Sequence, residues 1–239
     1  INYEKVKDLL QESGLWTALR TRPFSKNPTP ESRPKALFIT AMDTNPLSGN
    51  PVSVINSYKE DFKNGVKVLS KLTEGKTYVC HAKGETLPVD ASGSMSLNAF
   101  EGPHPAGNAG THIHFLDPAH ADKSVWHIGY QDVIAVGKLF STGKLWSERV
   151  VALGGPQARN PRHLVSRVGA SLDDLLKDEF EGKDIRVISG SVFNGHHAKG
   201  TYNYLGRYHN QISLLKEGKE REFLGWGGPG LEKFSVKPS

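Results

Sequence analysis

A run of apolar residues, Ala36-Leu37-Phe38-Ile39, gives way to a turn-rich loop, Ala41 to Pro46. A segment of helical period follows over residues 52–72, carried by Val54, Tyr58, Phe62, Val66 and Leu69, and then a second apolar strand, Thr77-Tyr78-Val79-Cys80. A strand buried on both faces reads as continuous apolar sequence instead of alternation. Strand, helix and strand at this spacing close as a parallel βαβ unit, because parallel neighbours need a long crossover. This block sets the class of the first half: a Rossmann-like layered sheet, ending near Trp146.

The flanking segments fit that frame. Residues 1–19 read as an amphipathic helix broken at Gly14, with Val6, Leu9 and Leu10 as its core stripe. Four prolines between Pro23 and Pro34 make residues 23–34 a loop. Residues 84–95 are small and polar, hence a loop, and a helix is expected after the Gly107/Gly110 turn. Ser124 to Ile128 is expected as a strand and Gln131 to Phe140 as a helix.

The second half changes character. Glu148 to Leu153 reads as a strand closed by Gly154-Gly155-Pro156, and His163 to Val168 as its returning partner. A short helix starts at Ser171 as N-cap. Arg186-Val187-Ile188 and Gln211 to Leu215 follow as strands. Two strands, a helix, then more strands is the order of a small β-grasp, SLBB-like domain. The expected division is residues 1–147, 148–225 and a tail, 226–239, leading toward a further C-terminal region. The chain opens on Ile1, and Lys233 to Ser239 does not read as a natural stop, so a piece of a longer protein is expected.

Composition narrows the function classes. Hydrophobic residues are 37% and charged residues 23% of the 239, enough for a sizeable core. No apolar run approaches the ~20 residues of a membrane-spanning helix. Cys80, the single cysteine, has no partner in the chain for a disulfide, which points to a reducing compartment. It sits within an apolar strand, where a thiol is ordinarily inert. The net charge is +5, but the basic residues are scattered, with no run of five, so no nucleic-acid partner is expected.

The chemistry-bearing motifs are sparse. His112 and His114 point to different faces of the helix expected there, and no H-E-x-x-H or Cys-x-x-Cys pattern occurs, so neither a metal site nor a catalytic group is expected. The turn after the first strand holds no glycine, unlike a dinucleotide fingerprint. Gly107-Asn108-Ala109-Gly110 is either a simple turn or one whose backbone amides face an anion. Two segments mix cations with aromatics: Trp16, Arg20, Arg22, Phe24 and Lys26, and Tyr202, Tyr204, Arg207, Tyr208 and His209. Such mixtures either bind a ring bearing polar oxygens or anchor interfaces and loops. Phe193 to His197, followed by Gly200, reads as a glycine-hinged surface loop suited to docking.

Four strings carry a resemblance: Ser13 to Phe24, Thr40 to Leu47, Gly102 to Gly107 with Gly110 to His112, and Tyr204 to His209. In order and along the whole chain, they resemble the A-subunit family of the bacterial Na+-translocating NADH:quinone oxidoreductases. More remotely, the element order resembles the flavin-binding subunit of complex I and its Rnf-complex relative. There a glycine-rich run lets the backbone approach the flavin. Here the matching stretch carries Trp16, Leu19, Arg20 and Arg22, whose side chains are expected to fill that volume.

The resemblance implies a peripheral subunit on the cytoplasmic face of the bacterial inner membrane. It would bind no redox cofactor of its own; FAD, FMN, riboflavin and 2Fe-2S would lie in other subunits. It would contribute to ubiquinone binding and dock chiefly on the membrane-embedded B-subunit. On this reading Trp16 and Phe24 contact the quinone ring, Arg20, Arg22 or Lys26 its oxygens, and Tyr204, Arg207, Tyr208 and His209 a partner. The separated piece would be inactive. Two alternatives stay open: a scaffold without quinone contact, and an enzyme that still binds FMN or NADH.

Overall fold

The computed structural model describes residues 2–182 and 184–219. Residues 220–225, with which the expected second domain ends, and the expected tail 226–239 lie outside the described residues.

The first helix, α1 (Tyr3–Glu12), is capped by the Asn2 side chain, which accepts from the Lys5 amide. Its stripe packs as the periodicity predicts: Val6 and Leu10 are fully buried and Leu9 lies against the same core. After Gly14, which takes a positive φ, a single 3-10 turn (Leu15–Ala18) leads into a short strand, β1 (Arg20–Arg22). The apolar run becomes β2 (Ala36–Ala41). The segment read as one helix over 52–72 is two, α2 (Pro51–Ser57) and α3 (Lys59–Leu69), followed by a 3-10 turn. The break is at Tyr58, whose backbone leaves the helical region and whose ring packs at 5.0 Å on Trp146.

Next come β3 (Lys76–Ala82), β4 (Met95–Phe100), α4 (Ala109–Leu116), β5 (Val125–Gly129) and α5 (Tyr130–Thr142). The sheet order is β1-β5-β2-β3-β4. The last four run parallel and β1 pairs antiparallel at the edge. Sequence periodicity missed β1 and β4. Both are edge strands and neither is buried throughout; β1 is polar, and β4 mixes Met95, Leu97, Ala99 and Phe100 with Ser96 and Asn98 directly after a polar loop.

One face of the sheet carries the larger core, where α1, α2, α3 and α5 bury Leu10, Phe62, Val66 and Ile134 against Leu37, Ile39 and Trp126. The other face is partly covered by α4, whose Ile113 meets Phe38, Tyr78 and Cys80. Helices α3 and α5 cross at close range because both present glycine. A Cβ on Gly65 would overlap the Val133 carbonyl oxygen, and one on Gly137 would overlap that of Asp61.

The second domain holds β6 (Glu148–Gly154), β7 (Arg162–Arg167), α6 (Leu172–Leu175), β8 (Ile185–Ser189), β9 (His196–His197) and β10 (Gln211–Lys216). Its sheet order is β7-β6-β10-β8-β9, with β6 and β10 the parallel central pair. That arrangement, a hairpin and a helix followed by a strand returning between β6 and β8, is the β-grasp topology. Ser171 caps α6 as expected, accepting from the Asp174 amide. A small core of Val151, Leu153, Leu172, Leu205, Ile212 and Leu214 holds the domain together. No helix among the described residues is long and apolar enough to cross a membrane.

Candidate functional site

In a doubly wound sheet, ligands sit at the carboxyl ends of the strands where the winding reverses. Here β2 has β3 on one side and β5 on the other, and the chain moves outward in both directions. At the carboxyl ends of β2 and β5 lies a cleft of about 450 Å³. Its floor is Thr40, Met42 and Asp43 from the end of β2 and His127 to Tyr130 at the junction of β5 and α5. One wall is Arg20, Arg22 and Ser25, around β1; the opposite wall is the second domain, through Ser191, Asn194 and the Tyr208 to Gln211 stretch. The Gly107-Asn108-Ala109 turn also lines it. Gly107 is required there: a Cβ would come within 2.7 Å of the Thr44 amide nitrogen, and the Gly107 amide donates to Thr44 Oγ1 at 2.9 Å.

The register explains the composition of the wall. Arg20 pairs with His127, Arg22 with Val125, and Phe38 with His127. Side chains of paired residues share a face, and the face alternates along each strand. Arg20, Arg22, His127 and Thr40 therefore stand on the α4 side of the sheet, over the part that α4 leaves bare. Burial pushes the His127 imidazole down to about 3, with Arg22 and Arg20 adding repulsion. Burial also lowers the pKa of Arg22, and Arg20 lowers it further. Asp43, held by the Asn45 amide (2.9 Å) and Asn45 Nδ2 (2.7 Å), is raised by burial.

The structure divides the first aromatic–basic segment. Trp16 lies in the core: it is 7% exposed, its Nε1 donates to the Pro28 carbonyl at 2.8 Å, and its ring meets Trp126 edge-on at 5.4 Å. Leu19 is fully buried. The expectation that the bulky side chains of this run fill the volume of the glycine-rich loop is thus corrected for these two. The 3-10 turn aims them into the helical core and leaves the cleft open. Arg20 and Arg22 do line the cleft. Phe24, 82% exposed at a positive φ of 76°, stands at the tip of the 23–26 loop beside exposed Lys26. Arg20 braces that loop, donating to the Ser25 carbonyl and hydroxyl at 2.9 Å each.

The second segment closes the cleft from the other side. The Tyr208 ring lies under the Arg20 guanidinium at 4.3 Å, and Tyr208 Oη donates to the Thr17 carbonyl at 2.8 Å. The two segments singled out in the sequence therefore meet each other. Arg207 reaches Asp132 at the start of α5, which Arg149 also holds, both at 2.9 Å. His209 hydrogen-bonds the Ser189 hydroxyl and is lowered to about 4 by burial. Of the four residues expected to dock a partner, Arg207, Tyr208 and His209 thus use their side chains within the chain, while Tyr204 bridges Ser171 by its backbone; Tyr204 stays 54% and Tyr208 41% exposed. Phe193, from the loop read as a docking surface, packs at a tilt on His104 of the first domain, with ring centroids 4.9 Å apart. Sequence reasoning did not single out Thr40, His127, Asp132 or Arg149. They are scattered in the chain, and only the sheet register brings them to one place.

Elsewhere, Cys80 is fully buried and its thiol is pushed up to about 12. His112 is fully buried, with Nε2 at 2.9 Å from the Ala106 carbonyl oxygen. No group of three or more His, Cys, Asp or Glu that could hold a metal ion occurs among the described residues.

A switch-point sheet followed by a β-grasp domain also describes a solved chain of an NAD+-reducing [NiFe]-hydrogenase. The likeness covers 90% of this chain and 49% of that one, at a TM-score of 0.59 and 11% identity, and so concerns the fold alone. Family comparison is more specific. Residues 1–145 match the family described as the NqrA second alpha/beta domain, and residues 150–200 the NQRA C-terminal domain of the SLBB type. The chain belongs to the NqrA family. It is 55% identical over 239 residues to the A-subunit of the Na(+)-translocating NADH-quinone reductase of Vibrio parahaemolyticus, covering all of this chain and 53% of that protein. The corresponding protein of Histophilus somni is 53% identical over 233 residues, 98% of this chain and 52% of that protein. The chain spans about half the length of the curated relatives it matches.

Proposed function

We propose that this chain is the central part of the peripheral A-subunit of a Na+-translocating NADH:ubiquinone reductase, at the cytoplasmic face of a bacterial inner membrane. It works there within the assembled oxidoreductase and is inactive alone. The carrying observation is that 98–100% of this chain matches about half of each A-subunit sequence at 52–55% identity. The chain carries no redox cofactor; FAD, FMN, riboflavin and 2Fe-2S sit on other subunits. Support for this comes from the run Leu15 to Arg22, which holds no glycine, the residue that lets a backbone approach a ligand most closely.

Its contribution is docking on the membrane-embedded B-subunit and help in binding ubiquinone. Within the first segment, Arg20 and Arg22 face the cleft, and the 23–26 tip stands outside it, where Phe24 offers an apolar face to a ring and Lys26 a donor to its oxygens. In the assembled complex, Phe24→Ala is expected to raise the quinone KM severalfold with kcat little changed, since it removes ground-state binding. An unchanged KM would remove the tip from the quinone path. A pure scaffold is the second reading, favoured by the internal use of Trp16, Arg207, Tyr208 and His209. Titrating a short-chain quinone against the chain's tryptophan fluorescence separates the two: a scaffold gives no saturable response.

A further inference from the structure

Arg20 and Arg22 stand two residues apart on one face of an edge strand, in the wall of the interdomain cleft. Neither has a carboxylate partner among the described residues. Arg20 is held by the neutral Ser25 and lies over the Tyr208 ring. The Nε of Arg22 is enclosed and has no hydrogen-bond partner. The two carboxylates of the cleft are engaged elsewhere: Asp132 by Arg149 and Arg207, Asp43 by Asn45. Two like charges placed together and partly desolvated, without a counter-charge, cost stability, and folds retain such arrangements where something else supplies the charge.

Apart from Asp43, which only the neutral Asn45 holds, the surroundings favour an acceptor-rich, negative guest. Beside the arginines, Thr40 Oγ1 and His127 Nε2 are enclosed with no partner. The α4 and α5 helices start at the cleft from Asn108 and Gly129, and neither start has a side-chain cap. Free amides at a helix start carry partial positive charge toward the space in front of them. Two helix starts, two arginines and two unpartnered polar atoms converge on one cavity.

We propose that the interdomain cleft binds a phosphate-bearing small anion, with Arg22 and Arg20 as its counter-charges and Thr40, His127 and the starts of α4 and α5 around its oxygens. This site is separate from the Phe24 tip and goes beyond the quinone reading. Because one wall is the first domain and the other the second, the bound anion also ties the two domains together.

Thermal unfolding of the 239-residue chain, titrated with inorganic pyrophosphate or with ADP at ionic strength matched by sodium chloride, tests this. A saturable rise in Tm is expected, with chloride inert. Equal affinities for the two probes identify a free phosphate as the guest, and tighter ADP binding a nucleotide. Arg22→Gln is expected to weaken the affinity tenfold or more while leaving the Tm without anion equal to or above that of the parent, because an uncompensated charge is relieved. Thr40→Val is expected to weaken binding severalfold without moving the Tm of the unliganded chain. The proposal is overturned if neither phosphate probe gives a saturable shift, if the shift survives undiminished in Arg22→Gln, or if succinate binds more tightly than pyrophosphate.

Discussion

Among single residues, Asp132 and Arg149 make the clearest case for a buried ion pair that structure alone can find. Both are almost fully buried, at 5% and 4% exposure, and Arg207 completes the group from the second domain. Removing one partner strands a buried charge, which typically costs more than the pair contributes. Asp132→Asn leaves buried Arg149 without a carboxylate, whereas Arg149→Met would leave Asp132 its second partner, Arg207. Asp132→Asn is therefore expected to destabilise by about 3 kcal/mol, measured by urea unfolding, and Arg149→Met in the same chain should recover a large part of it. A loss of under about 1 kcal/mol would mean that solvent reaches the pair. Cys80 is legible in the sequence: a thiol inside an apolar strand is buried, and its pKa of about 12 keeps it a thiol. Trp16 is not. Leu15, Ala18 and Leu19 flank it while Arg20 and Arg22 follow, so the string fits either reading, and only the 3-10 turn after Gly14 decides that the indole faces the core.

The elements that periodicity finds are those with a strong apolar pattern: β2, β3, β5, α5 and the central pair of the β-grasp sheet. The elements it misses, β1, β4 and β9, lie at sheet edges, where one side of the strand has no partner and polar residues are tolerated. Tyr58 splits a helical pattern that looks continuous because both halves face the same core. The crossing of α3 and α5 offers a test at this scale. Gly137→Ala drives a methyl into a backbone carbonyl that cannot swing aside. It should cost about 1–3 kcal/mol through displacement of α3. Chemical unfolding reads it. A neutral Gly137→Ala would show that the two helices can separate at little cost.

For the molecule as a whole, acid is the expected weakness. His112, His127 and His209 have folded pKa values of about 4, 3 and 4, all below the ordinary 6.5, with burial as the leading cause. The unfolded chain takes up these protons from about pH 6.5 downward while the folded chain refuses them, so unfolding gains protons. Stability from the three is complete above about pH 6.5 and declines as the pH falls through about 4 for His112 and His209 and about 3 for His127. Thermal unfolding across that range should show a falling Tm; a flat profile would mean that the imidazoles are protonated in place. His209 belongs to the second domain and His127 to the first, so both sheets are expected to weaken together.

By itself, the sequence determined the class of both domains, their order and the family, because buried strands, helical stripes and long ordered strings are local properties of the chain. It also picked out two aromatic–basic segments without showing that they touch. The tertiary structure alone decided that Arg20 meets Tyr208, that Trp16 turns inward, and that Arg22, Thr40 and His127 share one face of a sheet. The physical reason is that a strand alternates its side chains every residue, so a contact between distant strands depends on register, and register is set by the packing of the whole sheet.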